Sequence, residues 1–296
     1  MTRDEPPAWF AAAVAAPRRE GAIRSAGVPI HYLEWGTPGL PGLVFVHGGA
    51  AHAHWWSFLA PQLAGRLHLA AFDLSGHGDS GWREHYSLEA WVGEVLDVAT
   101  HAGFAAPPVV VGHSMGGLIA IQAAQDHGNR LAGVVLVDAP LRRPDPESQE
   151  GGRTRALRFP SVYPTREAAV ARFRLIPAQP VRHPHLFHHI AVHSVREVED
   201  GWTWKFDPGV FRRQRAPMGE RLALARCPTA LIYGEHSEVV TSDIAAYTAE
   251  MMPPGSPVVV LAGAYHHLLL DEPLAFIDAL DRILVGWGHL PAPGKG

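Results

Sequence analysis

The five residues at 112–116 carry the strongest chemical signal in the chain. They read, in order, Gly112-His113-Ser114-Met115-Gly116. An apolar β-branched run at 109–111 precedes them and a small-residue helical pattern follows, so the order predicts a strand, a sharp turn and a helix with Ser114 at the apex. So tight a turn leaves no room for side chains two positions before and two positions after the serine. Glycine occupies both of these positions, at 112 and 116. The pattern predicts that Ser114 is a nucleophile.

A nucleophilic serine needs a general base, and His266 is the candidate. It follows the last apolar run of the sequence, at 258–261, and therefore lies on a loop at the end of a predicted strand. His267 is the alternative. We favour His266 because it is the first histidine of a pattern G-x-x-H-x-x-x-x-[DE]-x-P that begins at Gly263, and in that pattern the first histidine is directed at the serine.

The transition state also needs donors for a developing oxyanion. The apolar run at 44–46 leads into a glycine-rich turn, where the backbone N–H of Gly49 is one candidate donor and that of Met115 is the second. His47, in the same turn, is interpreted as a buried anchor of the loop rather than as a base.

These residues must be positioned by a regular framework. Strands are predicted at 28–34, 43–46, 67–72, 109–111, 134–137, 230–233 and 258–261, and helices at 87–102, 117–127, 242–251 and 273–285. Alternating strands and helices, with strands apolar at every position, predict an α/β fold whose mostly parallel central sheet has helices on both faces. Residues 21–36 would form the antiparallel start of the sheet.

Residues 141–219 break this alternation, because arginine, proline, histidine and aromatic residues replace the strand–helix pattern. We predict an inserted helical cap there, over a core formed by 1–140 and 220–296. In a helix His185, His188 and His189 would share one face, but no cysteine or carboxylate accompanies them, and no metal or cofactor is expected. Trp202 and Trp204 alternate as in an extended segment, for which core packing is the favoured interpretation.

Composition excludes several function classes. The 296 residues are 47% hydrophobic and 18% charged with a net charge of −4, and their dispersed basic residues indicate no nucleic-acid surface. No apolar run approaches the roughly 20 residues of a membrane span. The apolar stretch at 8–16 is interpreted as a packed helix rather than a signal peptide, and the single Cys227, interpreted as structural, fits a cytoplasmic protein. The oligomeric state stays open.

Four segments together resemble one family. They are His47-Gly48-Gly49, the run from Asp73 to Ser80, the run 112–117, and Gly263-Ala264-Tyr265-His266. Over about residues 20–285 the chain resembles the α/β-hydrolase fold family, in its capped branch of esterases, lactonases, carbon–carbon bond hydrolases, epoxide hydrolases and haloalkane dehalogenases. The resemblance implies an α/β-hydrolase fold with a cap, and structural roles for Asp73 and the turn at 76–78.

The resemblance also exposes a departure. The family usually carries its acid in a G-x-x-D pattern after the strand at 230–233, whereas this chain has Gly234-Glu235-His236-Ser237. A serine cannot supply the negative charge that stabilises an imidazolium. Some family members keep the acid at the end of the preceding strand, which favours Asp138 here. Glu238 and Glu235 are the alternatives.

The resemblance and the residues together predict a serine hydrolase that cleaves a carboxylic ester or lactone through an acyl-enzyme intermediate. The expected partner is a small-molecule substrate beneath the cap. A serine at the turn argues against epoxide hydrolase and dehalogenase chemistry, for which this family uses a carboxylate. Carbon–carbon bond hydrolysis of a diketone-like substrate, or a catalytically weak ligand-binding role, are the alternatives.

Overall fold

A computed structural model describes residues 5–143, 161–212 and 218–291. The strands in these residues are β1 (Arg19–Ser25), β2 (Val28–Trp35), β3 (Gly42–Val46), β4 (His68–Phe72), β5 (Val109–His113), β6 (Gly133–Val137), β7 (Val195–Val198), β8 (Gly201–Trp204), β9 (Thr229–Gly234) and β10 (Val258–Leu261). The helices are α1 (Ala8–Ala15), α2 (Leu88–Ala102), α3 (Met115–His127), α4 (Arg166–Ala171), α5 (Pro184–His193), α6 (Met218–Ala223), α7 (Ser242–Met251), α8 (Leu268–Asp271) and α9 (Pro273–Gly286). No helix among them is long and apolar enough to cross a membrane.

Eight of the strands form one sheet in the order β1-β2-β4-β3-β5-β6-β9-β10. The pairs β1–β2 and β2–β4 are antiparallel, and the pairs from β4 through β3 to β10 are parallel. The predicted mostly parallel sheet with an antiparallel start is therefore confirmed. Parallel strands end at the same edge, and the carboxyl ends of β3, β5, β6, β9 and β10 are where the candidate site residues lie.

The central strands of the sheet are buried on both faces because their side chains alternate between two apolar clusters. Leu43 and Phe45 of β3 face a cluster that includes residues of α1 and α9, while Val44 and Val46 face a cluster that includes residues of α2, α3 and α7. All four side chains are fully buried. This double burial explains why the central strands are apolar at every position.

The insertion between β6 and α6, described over residues 161–212 and called the insert below, is not purely helical. It contains α4 and α5, but β7 and β8 form a two-stranded antiparallel sheet in which Val195 lies opposite Trp204. The described part of the predicted helical cap therefore also contains a hairpin at 195–204, where tryptophans, threonine and valine favour strands, and β8 agrees with the extended segment expected around Trp202 and Trp204. Residues 199–200 make the turn, and Gly201, with φ of 135°, begins β8 directly after it. The remaining predicted cap residues, 144–160 and 213–217, lie outside the described residues, and α6 begins one residue before the predicted boundary at 219.

Candidate active site

The turn between β5 and α3 holds Ser114 in a strained backbone conformation. Its φ and ψ are 52° and −113°, in a region that non-glycine residues rarely adopt. The turn can be this tight only because of its glycines: a Cβ at Gly112 would lie 2.2 Å from the Gly116 carbonyl oxygen, and one at Gly116 would lie 2.3 Å from the Val46 carbonyl oxygen. The side chain of Ser114 is thereby presented to a cavity at the carboxyl edge of the sheet.

His266 lines the same cavity and contacts Asp138. Its Nδ1 lies 2.7 Å from Asp138 Oδ2, and the two side chains are 5% and 0% exposed. Since an ionised carboxylate only accepts hydrogen bonds, Nδ1 carries the proton, and the neutral ring keeps a lone pair on Nε2. The structure therefore brings three of the predicted site residues into one arrangement: Ser114 and His266 share a cavity, and Asp138 holds His266 from behind.

Ser237 supports Asp138 from the position where the family resemblance places an acid. Its Oγ donates to Asp138 Oδ2 at 2.7 Å and accepts from the backbone N–H groups of Val239 and Val240 at 3.1 and 3.0 Å. Gly234 N donates to the other carboxylate oxygen at 3.0 Å. Asp138, at the end of β6 with φ of 46°, thus receives three hydrogen bonds, which compensate its burial. Sequence reasoning missed this function of Ser237, although its place in the G-x-x-D position was the available signal.

The alternative acids and the alternative base lie in different surroundings. Glu235 is exposed and accepts from Gly263 N at 2.7 Å, and Glu238 is exposed. Among the hydrogen bonds and ion pairs of the described residues, the carboxylate that binds the His266 ring is that of Asp138. His267 packs with its ring centroid 5.2 Å from that of Trp55. Burial, followed by the neighbouring His266, holds the pKa of His267 well below its usual value, so this ring stays neutral at pH 7.

His113 is a second residue whose function the sequence did not reveal. Its Nε2 donates to the backbone carbonyl of His266 at 3.0 Å, and the two ring centroids are 4.9 Å apart. Burial, followed by the proximity of His266, lowers the pKa of His113 to about 3, so it remains a neutral donor. It therefore fixes the backbone that carries His266, and its place beside Ser114 in the 112–116 motif was the only local hint.

The two residues predicted to supply the oxyanion donors lie close together. Gly49 lines the cavity, and a Cβ on it would lie 3.9 Å from Met115 Sδ. Met115 is the first residue of α3, where a backbone N–H has no partner within the helix. Among the described residues, Gly49 N also donates to no acceptor. Gly49 and Ser114, the residue directly before Met115, both line the cavity, so a substrate oxygen bound beside Ser114 would be near these N–H groups.

The loop that carries Gly49 is anchored by buried polar residues. His47 Nδ1 donates to Gly48 O at 2.7 Å and its Nε2 accepts from Leu74 N at 3.0 Å, so both ring nitrogens are occupied. Asp73 accepts from Ala53 N at 2.6 Å. Although burial alone would raise it, the hydrogen bond from His31 holds the pKa of Asp73 below its usual value. These hydrogen bonds show that His47 and Asp73 stabilise the loop, which is the structural role that the sequence predicted for them.

The cavity has a volume of about 270 Å³. The core contributes Trp55 and the glycine-rich loop, and the insert contributes mainly aromatic and aliphatic side chains: Tyr163, Phe173, Leu175, Ile176, Trp204 and Phe206. Arg172 and Arg174, both exposed, also border it. Trp204, for which core packing was favoured, is half-buried and lines the cavity, whereas Trp202 does not. The insert therefore forms much of the wall that faces Ser114.

The predicted shared face of α5 histidines forms only in part. His188 is exposed, and the His185 ring packs against Phe10 at 4.9 Å. The His189 ring packs against that of His193, four residues further along α5, with ring centroids 4.5 Å apart. Burial, followed by His193, lowers the pKa of His189 to about 3.

Comparison with known proteins decides the family. A sequence model of the alpha/beta hydrolase family matches residues 43–279, which is most of the chain. The chain belongs to the alpha/beta hydrolase family. The resemblance that the four sequence segments indicated is therefore confirmed for this α/β-hydrolase.

Its relatives include esterases. An esterase of Mycobacterium tuberculosis is 28% identical over 266 residues, covering 86% of this chain and 86% of that protein. A pimeloyl-[acyl-carrier protein] methyl ester esterase of Edwardsiella ictaluri is 36% identical over 107 residues, which are 36% of this chain and 40% of that protein. Among solved structures, a thioesterase domain from the curacin biosynthetic pathway has a TM-score of 0.75 at 25% identity, covering 90% of this chain and 99% of that domain.

Proposed function

We propose that this α/β-hydrolase is a serine esterase that cleaves carboxylic esters, lactones included, through an acyl-enzyme intermediate. The observation that carries the proposal is the placement of Ser114. It stands on a strained turn and faces the cavity that also contains His266, whose Nδ1 is 2.7 Å from the buried Asp138. A serine, a histidine and a carboxylate in these relations are what acyl transfer requires. The esterases among the relatives support the same reaction.

Each group then has one task. Ser114 Oγ attacks the ester carbonyl carbon and its proton passes to His266 Nε2, while Asp138 stabilises the imidazolium that forms. The N–H groups of Gly49 and Met115 bind the oxyanion. When the intermediate collapses, the alkoxide leaves as an alcohol with the proton from His266. Water repeats the sequence on the acyl-enzyme, releasing the carboxylic acid and restoring Ser114.

The substrate class follows from the cavity. Its volume of about 270 Å³ and its aromatic and aliphatic wall suit a small ester with an apolar acyl or alcohol group, and the insert would cover that substrate as a cap. Coverage by the insert would also limit the access of bulk water to the cavity.

A series of p-nitrophenyl esters of increasing acyl length, with several lactones, tests the proposal. We expect kcat/KM to rise about fourfold per added methylene while the chain still fits, which is the effect of burying one CH₂ group, and then to fall. A fluorophosphonate probe should label the wild type and not Ser114→Ala. If the folded protein neither labels nor turns over any ester or lactone, the ligand-binding alternative replaces the esterase. Cleavage of diketones alone would favour the carbon–carbon hydrolase.

A further inference from the structure

Three histidines meet where the insert packs against the core, outside the lining of the Ser114 cavity. His54 lies in the short helical turn Ala53–Trp55 that follows the glycine-rich loop, and His189 and His193 project from α5 at i and i+4. One ring nitrogen of each lies within 4.8 Å of the others. The centroids of the His54 and His193 rings are 3.8 Å apart. Nothing in the proposed ester hydrolysis uses this cluster.

The hydrogen bonds around the cluster determine where two of the ring protons lie. A carbonyl oxygen can only accept, so the 2.8 Å contact between His193 Nδ1 and His189 O places the proton on Nδ1 and a lone pair on Nε2. Ser57 Oγ donates its single proton to His54 O at 2.9 Å, so His189 Nε2 must donate to Ser57 Oγ at 2.8 Å. That leaves the lone pair of His189 on Nδ1.

The third histidine lacks a compensating bond. His54 is 7% exposed, and its Nδ1 has no hydrogen-bond partner among the described residues. An unpartnered polar atom in such surroundings is costly unless something binds it. In metal sites, a coordinating histidine characteristically donates its second ring N–H to a carbonyl, carboxylate or similar acceptor. His189 and His193 both show that arrangement.

We propose that His54, His189 and His193 bind a divalent first-row transition-metal ion of the Zn²⁺ class, with a fourth coordination position for water. Three imidazoles without an oxygen ligand disfavour Ca²⁺ and Mg²⁺ and suit Zn²⁺, Co²⁺, Ni²⁺ or Cu²⁺. Zn–N distances of about 2.0–2.1 Å in a tetrahedral site place the nitrogens about 3.4 Å apart. The nitrogens of the cluster lie within 4.8 Å of one another, so metal binding would have to bring them closer together.

The ion connects two parts of the fold. His54 lies five residues after Gly49 on the core side, and both other ligands lie on α5 of the insert. A hydrogen bond between His52 Nε2 and Ser194 Oγ, at 2.9 Å, already joins the same two segments. Metal binding therefore holds α5 against the core next to the cavity. The expectation of no metal was based only on the histidines at 185–189. His54 lies 135 residues before His189 in the sequence, so no local pattern connects the two.

Zinc binding by the purified, chelator-treated protein tests the proposal without any assay of activity. A competing fluorescent zinc indicator gives the affinity and stoichiometry, and Co²⁺ absorption reports four-coordinate geometry. We expect one ion per chain in the wild type, and at least about a 100-fold loss of affinity in His189→Asn and in His193→Asn. The matched control is His188→Asn, an exposed histidine on the same helix, which should bind as the wild type does.

Two further measurements keep the test decisive. Zn²⁺ at about 100 times its Kd should raise Tm by about 5 °C in the wild type and in His188→Asn, and leave Tm of His193→Asn unchanged. His113, His266 and His267 also bring ring nitrogens within 4.8 Å of one another, so His267→Asn is measured beside them. The proposal is overturned if His189→Asn binds zinc normally, or if only His267→Asn loses the ion.

Discussion

Replacement of Asp138 by asparagine is the sharpest test of the proposed catalytic arrangement. In the wild type three donors converge on its two carboxylate oxygens: Gly234 N on Oδ1, and both Ser237 Oγ and His266 Nδ1 on Oδ2. Asparagine keeps the size of the side chain but offers one accepting oxygen and one NH₂ group. With its oxygen facing Gly234 N, the NH₂ group faces His266.

The consequence is a wrong tautomer. An NH₂ group beside Nδ1 obliges that nitrogen to accept, so the proton of the neutral His266 ring moves to Nε2, where it blocks transfer from Ser114. The imidazolium form of His266 also loses its ion pair with Asp138. Because the side chain of residue 138 is fully buried, water does not replace the lost negative charge. The corresponding change in a serine protease lowers kcat about 10⁴-fold, or about 5 kcal/mol. We expect a loss of two to four orders of magnitude in Asp138→Asn.

The measurement is kcat for a p-nitrophenyl ester, with circular dichroism to verify folding. Glu235→Gln and Glu238→Gln are the matched controls and should stay within about threefold of the wild type, a change of less than about 1 kcal/mol in the barrier. Because Ser237 Oγ lies 2.7 Å from Asp138 Oδ2, adding Ser237→Asp to Asp138→Asn should restore part of the activity. A nearly active Asp138→Asn beside an inactive Glu238→Gln would refute the assignment and move the acid to the loop after β9.

Three other perturbations have defined outcomes. Ser114→Ala should lower kcat by roughly 10⁴–10⁶ with no change in Tm, and retained activity in a clean preparation would contradict the mechanism. Gly116→Ala places a Cβ 2.3 Å from the Val46 carbonyl oxygen and should lower the free energy of unfolding by about 3 kcal/mol or more in urea titrations; an unchanged midpoint would show that the turn can relax. Burial, followed by neighbouring histidines, lowers the pKa values of His77 and His113 to about 3, so the folded state stays neutral there while the unfolded chain binds protons below about pH 6.5. Stability is therefore complete above pH 6.5 and should fall as the pH decreases toward 3, by up to about 1.4 kcal/mol per pH unit for each such histidine, and a Tm that stays constant from pH 7 to pH 4 would exclude this.

The sequence predicted the sheet well because its central strands are unambiguous. Residues such as those at 109–111 are β-branched and apolar without interruption, and no other element suits them between a turn and a glycine-rich motif. The alternation of Trp202 and Trp204 indicates the extended β8, but the pairing of β8 with β7 was not predicted, because the residues that support it are distant in the sequence. The centroid of the Trp204 ring lies 5.6 Å from that of Tyr163 and 6.1 Å from that of Phe173. These contacts cannot be predicted from the local sequence pattern.

In the candidate site, too, residues within local sequence patterns could be predicted, whereas residues that act through distant contacts could not. Ser114 and His266 lie in short local patterns, and Asp138 could be inferred because β6 ends there. The residues that hold them could not be inferred in the same way. Ser237 is 99 residues from Asp138 along the chain, and His113 is 153 residues from His266, so their hydrogen bonds exist only once the sheet has assembled.

Placing the acid at the end of β6 changes which parts of the proposed catalytic arrangement can move. Ser114 N donates to Val137 O at 2.8 Å, and Asp138 N donates to Ile232 O at 2.8 Å. The first bond extends the pairing of β5 with β6, and the second extends the pairing of β6 with β9. The separation of Ser114 and Asp138, the proposed nucleophile and acid, is therefore as rigid as the sheet. Only His266 lies on a loop. The conformational entropy that catalysis must remove is therefore concentrated in one short segment. The hydrogen bond from the His113 side chain to the backbone carbonyl of His266 restrains that segment before any substrate binds.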